Sequence, residues 1–165
     1  TMSLEILEDC PEIDTAIVPL SGGGLISGVT LGFKLTVPGV KVIGVSQERA
    51  AVMIESLKAG RPVEMPEEPT LADSLLGGIG LDNKYTFDIV RDYVDETVQV
   101  GEEEISKGIA YIMENHHVIA EGASATGIAY ALRSGAIKKG SNVAIIVTGN
   151  GISMETVKQI VNDNY

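Results

Sequence analysis

The stretch IVPLSGGGLISG, Ile17 to Gly28, joins two apolar runs through Ser21-Gly22-Gly23-Gly24. The first run is short and rich in β-branched residues, as a buried strand is. The second continues to Val37 with no charge before Lys34, which reads as a helix, apolar on most sides and therefore buried. A tight turn needs one or two glycines. Three in succession leave a length of main chain with no side chain in the way, at the point where a helix presents free N–H groups and the positive end of its dipole. That is an anion site in outline. An ordinary glycine-rich strand–helix turn with no ligand would read the same way.

Outward from this stretch, strands and helices alternate. Residues 15–20 and 41–46 read as strands, 24–37 and 48–59 as helices, with Gly60 closing the latter. Residues 61–84 hold Pro62, Pro66 and Pro69 and show little periodicity; an irregular stretch of that length in a compact domain is usually functional. Then come a short helix at 86–93, a strand at 94–100 and an amphipathic helix at 101–117 with three glutamates in its first turn, where the dipole favours them. A small-residue helix spans 120–135. The continuous apolar run of 142–149 predicts a fully buried strand, and 153–164 the last helix. The pattern predicts an α/β fold: a three-layer sandwich with a mostly parallel central sheet, its ligands at the carboxyl ends of the strands. The first residues, TMSLEILEDC, already carry a helical apolar pattern.

Bulk properties narrow the function. The chain has 165 residues, 44% hydrophobic and 21% charged, with aromatics at only 4% and no Trp, so the core is built of Ile, Val, Leu and Ala. That length suggests one domain, burying roughly 70% of its unfolded surface without staples. A net charge of −11 argues against nucleic acid or an anionic membrane as partner. It leaves room for a phosphate ligand, because local amides outweigh a field screened within about 10 Å. The lone Cys10 cannot form an internal disulfide, which fits a reducing, cytoplasmic setting. No apolar run approaches the ~20 residues that span a bilayer.

Three further stretches hold polar groups suited to chemistry. VTGNGIS, 147–153, is a second glycine-rich strand–helix turn, in which Thr148 offers a hydroxyl and Asn150 an amide, with Ser153 as N-cap. PTLADSLLGGIG, 69–80, lies in the irregular region, and AEGASATG, 120–127, sets Glu121 at a helix start, where a carboxylate is favourable without any ligand. His116 and His117 end a helix, and no Cys or third His completes a metal site around them.

In this order the four pieces resemble the C-terminal half of the fold-type II pyridoxal-phosphate enzymes, those with the tryptophan synthase β-like fold. Within that group the chain is similar to threonine and serine dehydratases and serine racemases, above all to the hydroxyectoine-utilisation dehydratases. The resemblance covers nearly the whole chain. It implies pyridoxal 5′-phosphate as cofactor, with Ser21, Gly22, Gly23, Gly24 and Leu25 around its phosphate and Ser21 adding a hydroxyl where the family has a fourth glycine. Thr148, with Gly149 and Asn150, matches the turn that meets the pyridine nitrogen, and Glu121 a carboxylate near the ring. Asp73, Gly77 and Gly78 match the loop lining the other wall. The two carboxylates that hold a divalent cation in some members are here Ser46 and Val52, so no metal is expected.

The Schiff-base lysine of the family lies in its N-terminal half, and no lysine here matches it. The chain, residues 1–165, is therefore expected to be the large-domain portion of an enzyme about twice as long, inactive alone, needing the N-terminal half of the same enzyme as partner. The complete enzyme is expected to be a homo-oligomer that eliminates water from a small hydroxyamino acid. A racemase of the same fold, or a non-catalytic phosphate-ligand-binding domain, would carry the same motifs.

Overall fold

The computed structural model describes residues Thr1–Tyr165. Helix α1 (Met2–Asp9) precedes strand β1 (Thr15–Pro19). Helix α2 (Gly24–Thr36), strand β2 (Lys41–Gln47), helices α3 (Val52–Ala59) and α4 (Thr86–Tyr93) and strand β3 (Glu96–Val100) follow. Helices α5 (Glu102–His116) and α6 (Gly122–Ala131), strand β4 (Val143–Ile145) and helix α7 (Met154–Asn164) complete the chain. The four strands form one sheet in the order β3-β2-β1-β4, every pair parallel. Three layers result. Ile26, Val29 and Phe33 of α2 pack with Met53 of α3 and Phe87 of α4 against Val18 and Val42 on one face. Ile105 and Ile109 of α5, Ala125 and Ala129 of α6 and Ile160 of α7 cover Ile17, Ile43 and Val45 on the other.

The strand order positions the site. From β1 the chain moves outward through β2 to β3, then returns to add β4 on the opposite side of β1. The connections after β1 and β4 therefore part company, and open α/β sheets leave a crevice at the carboxyl ends of strands where this happens. Both glycine-rich turns lie there.

Several elements differ from the sequence reading, each for a physical reason. Helix α2 buries the stripe Ile26, Val29, Thr30 and Phe33, but Leu35 is 82% exposed, so the helix is not buried all round. Residues 48–51 do not open α3: the Glu48 N–H extends the sheet edge by donating to the Val100 carbonyl, and Ala50 takes a left-handed φ of 51°. Helix α6 ends at Ala131, its last turn tightened by the Arg133 N–H bonding only three residues back to the Tyr130 carbonyl; the Arg133 side chain makes a two-pronged contact with Glu104, at 2.6 Å for each nitrogen, and reaches the Gln99 carbonyl at 2.7 Å. The apolar run at 142–149 yields only Val143–Ile145 as strand, and those residues are half-buried. β4 is an edge strand whose outer side opens on a groove of about 550 Å³ lined by Tyr111, Ile112, Ile128, Leu132, Ile145 and Val147. No helix is long and apolar enough to cross a membrane.

Candidate active site

After β1 the Leu20 N–H still pairs with the Val45 carbonyl, and the chain then leaves the sheet. Gly23 adopts φ 87°, a left-handed conformation that favours glycine, and α2 begins at Gly24. The first helical bond runs from the Ser27 N–H to the Gly23 carbonyl. None of the N–H groups from Ser21 through Ile26 has an acceptor in the protein. Side chains built on Gly22 or Gly24 would meet nothing within 4 Å, whereas one on Gly23 would run into Met53, Thr86 and Val90 behind the turn. Gly22 and Gly24 thus keep the cup open, and Gly23 serves the backbone and the packing beneath it.

The cup is a cavity of about 160 Å³ whose lining brings together Ser21 through Leu25, Glu121 and Thr148. Its remaining wall is Pro19, Ser74, Leu75 and Ala123; Asp73, Gly77, Gly78, Gly149 and Asn150 do not line it. No lysine or arginine lines it either, so any anion there would be held by amides and the helix end alone. The Ser21 hydroxyl donates to the Leu75 carbonyl at 2.8 Å. Its hydrogen thus ties the cup to the one-turn 3₁₀ helix Asp73–Leu75, and only its lone pairs face other partners.

That turn is held from below. Glu102, at the start of α5, accepts from the Leu71 N–H at 2.8 Å and from the Thr70 hydroxyl. The two neighbouring glutamates have other partners: Glu103 pairs with Lys107, and Glu104 accepts from the Gly101 N–H and from Arg133. The Arg133 hydrogen bonds hold the Glu104 carboxyl below the ordinary glutamate range, against the opposing effect of burial. Helix α6 then lies so close to the turn that a Cβ on Gly122 would sit 2.0 Å from the Leu71 carbonyl oxygen.

The turn after β4 is bound to the start of α6. The Glu121 N–H donates to the Gly149 carbonyl at 3.1 Å, and the Glu121 carboxylate accepts from the Gly151 N–H at 2.8 Å. A Cβ on Gly149 would come within 2.6 Å of that carboxylate, so any larger residue there would push the Glu121 side chain aside. Ser124, absent from the sequence-derived candidates, is the centre of this contact: its Oγ lies 2.9 Å from Thr148 Oγ1 and 2.6 Å from the Gly149 nitrogen. A serine in a run of small residues signals close packing; its partners stand more than twenty positions later, beyond the reach of local pattern.

The donor set suits a phosphate ester on a flat heteroaromatic ring. Uncommitted amides and the Thr148 hydroxyl share the lining of one cup. Elsewhere, Ser46 and Val52 are buried, and no cluster of three His, Cys, Asp or Glu is arranged to hold a metal. His117 closes α5 in a left-handed conformation, φ 57°.

The profile of the family described as pyridoxal-phosphate dependent enzyme matches residues 1–149. The L-threonine ammonia-lyase of Thermotoga maritima is 43% identical over 162 residues, which are 98% of this chain and 40% of that protein. The solved structure of maize serine racemase superposes with a TM-score of 0.84 at 35% identity, over 98% of this chain and 50% of that one. The processed form of threonine deaminase isoform 2 from Solanum lycopersicum gives a TM-score of 0.85 at 30% identity, over 98% and 47%. The chain thus spans half or less of the length of these relatives. A parallel sheet with its glycine-rich cup at the switch point, together with a profile match over nine-tenths of the residues, shows that the chain belongs to the pyridoxal-phosphate-dependent enzyme family.

Proposed function

We propose that this chain is the cofactor-phosphate-binding portion of a pyridoxal-phosphate-dependent hydroxyamino-acid dehydratase of the threonine/serine ammonia-lyase type. One observation carries the reading: residues Ser21 to Leu25, whose N–H groups have no acceptor in the protein, line one cavity together with Thr148, in a family that depends on pyridoxal phosphate. The phosphate sits against Gly22, Gly23, Gly24 and Leu25, where backbone donors and the α2 dipole favour a dianion despite the overall negative charge. Thr148 faces the ring nitrogen. Glu121 holds the 148–151 turn in register with α6 and adds a carboxylate beside the ring. Asp73, Gly77, Gly78 and Asn150 contribute by shaping the loops rather than by lining the cup. Once bound, the cofactor supplies the electron sink for negative charge at the substrate α-carbon.

No lysine lines the cavity. In this reading residues 1–165 are the large domain of a longer, homo-oligomeric enzyme whose other half brings the lysine and the substrate-carboxylate site. Two facts support it: the relatives are about twice as long, and β4 leaves an unpaired edge beside an apolar groove. The narrower placement in the hydroxyectoine-utilisation branch rests on motif resemblance alone. The likeness to maize serine racemase favours a second reading, racemisation of the same substrate class. Incubating the complete enzyme with L-threonine and L-serine separates them. Ammonia and a 2-keto acid are the expected products; accumulation of the opposite enantiomer without ammonia would select the racemase. The 165-residue chain alone should release no ammonia from either substrate.

A further inference from the structure

Three glutamates open α5, and two of them are paired with cations: Glu103 with Lys107 and Glu104 with Arg133. Glu102 has no such partner. Its carboxylate accepts from the Thr70 hydroxyl through one oxygen and from the Leu71 N–H, at 2.8 Å, through the other. Thr70 Oγ1 accepts in turn from the Ala72 N–H at 3.1 Å. Between Val63 and Leu75, the Leu71 and Ala72 N–H groups alone find an acceptor in the protein. A first-turn glutamate that served only the helix dipole would need no remote partners. This one fastens a loop that has almost no main-chain bonds of its own.

That loop runs into the wall of the cup. Ser74 and Leu75 line the cavity, and the Leu75 carbonyl accepts the Ser21 hydroxyl hydrogen at 2.8 Å. Leu71 is confined on both sides: its N–H by Glu102, its carbonyl by the close approach of α6 at Gly122, next to Glu121 of the cup lining. Glu102 itself lies outside the cup, on a separate cleft of about 290 Å³ between α5 and α7. We propose that Glu102 is a positioning residue for the cofactor phosphate. By fixing Thr70 and Leu71 it sets where the 73–75 turn stands, and through the Ser21 hydroxyl it sets the shape in which the Ser21–Leu25 amides meet the anion. Without that carboxylate two donors lose their acceptor, the wall is free to shift, and Ser21 either follows it or loses its own acceptor. The proposal rests on the reading of the cup as the phosphate site.

The test compares the dissociation constants of the complete enzyme for pyridoxal phosphate and for pyridoxal, which lacks the phosphate; their ratio reads the phosphate site alone. Gly24→Val, whose side chain would stand in the cup, should collapse the preference for pyridoxal phosphate. If it does not, the cup is not the phosphate site, and the underlying reading fails together with the inference. Where Gly24→Val does collapse it, Glu102 is judged on its own. Glu102→Ala and Thr70→Val should each lower the preference at least about fivefold, the lower end of couplings between separate sites, while pyridoxal binds as in the parent. Thr70→Ser keeps the hydroxyl and should keep the parental ratio, as should Glu103→Gln. If Glu102→Ala weakens both ligands alike, or neither, the contact only supports the fold and the inference is overturned. Should the Glu102 and Thr70 variants not fold, amide hydrogen exchange of the parent decides. Coupling is reciprocal, so pyridoxal phosphate should slow exchange at Leu71 and Ala72 along with the cup amides, and pyridoxal should not. Slowing at the cup amides alone overturns the inference.

Discussion

Replacing Gly122 with alanine tests how the cup wall is held. The new Cβ would stand 2.0 Å from the Leu71 oxygen, 2.4 Å from the Leu71 carbonyl carbon and 2.9 Å from the Ala72 nitrogen. The closest of these is 1.0 Å inside the 3.0 Å that real Cβ atoms respect. Both partners are main chain, so no rotamer change relieves the contact; either α6 or the 70–72 segment must move. Overpacking of this kind costs about 1–3 kcal/mol, and a backbone-on-backbone clash belongs at the upper end. The movement also reaches the site, because Leu75 accepts from the Ser21 hydroxyl three residues beyond Ala72. The assay is urea unfolding of the complete apoenzyme, with Gly28→Ala as control. Gly28 is exposed in the middle of α2 with open space around it, so alanine there should gain ~0.5–1 kcal/mol. Gly122→Ala should lower the unfolding midpoint and weaken pyridoxal phosphate binding together. If it costs less than about 0.5 kcal/mol, as an ordinary surface change would, then α6 does not rest on Leu71.

Gly23→Ala should cost about 1–3 kcal/mol in the same unfolding assay, through its positive φ and the contact with Met53, whereas Gly24→Val should fold normally and lose cofactor affinity. Glu104→Gln should cost ~1 kcal/mol or less, since the pair with Arg133 is about a third exposed. Because the folded Glu104 pKa is lowered, its stabilisation is fully present above the ordinary glutamate value of ~4.3 and is lost as pH falls through the folded value; the Gln variant should therefore lie closest to the parent in acid-unfolding curves at low pH. In the complete enzyme Thr148→Asp should lower dehydratase turnover, because a carboxylate raises the pKa of the ring nitrogen, and Thr148→Ser should be mild because the hydroxyl survives; equal turnover in all three would show that Thr148 lies away from the ring.

Periodicity and turn chemistry made the order of strands and helices legible, and with it the parallel sheet, because Gly60 and the Ser21–Gly24 turn punctuate it sharply. What misled was local pattern where tertiary position prevails. Val143 to Val147 is as apolar as a central strand, yet it forms an edge, since burial depends on what lies alongside. Glu48 to Ala51 suits a helix, but the adjoining β3 draws the Glu48 N–H into the sheet. Within the site, the glycines announced a close approach, but only the backbone shows that Gly22 and Gly24 keep the cup open while Gly23 satisfies its own φ. Ser124 and Leu75 were illegible for a different reason. Their parts are set by partners 25 and 54 residues away, and no spacing rule reaches that far.

The central claim is that the free amides of Ser21 to Leu25 hold a cofactor phosphate while Thr148 meets the ring. A crystal structure of the complete enzyme with pyridoxal phosphate tests it most directly. The phosphate oxygens should lie within ~3 Å of the Gly22, Gly23, Gly24 and Leu25 nitrogens, with the ring nitrogen at a similar distance from Thr148 Oγ1. A phosphate bound elsewhere, with those amides facing only solvent, would contradict the account.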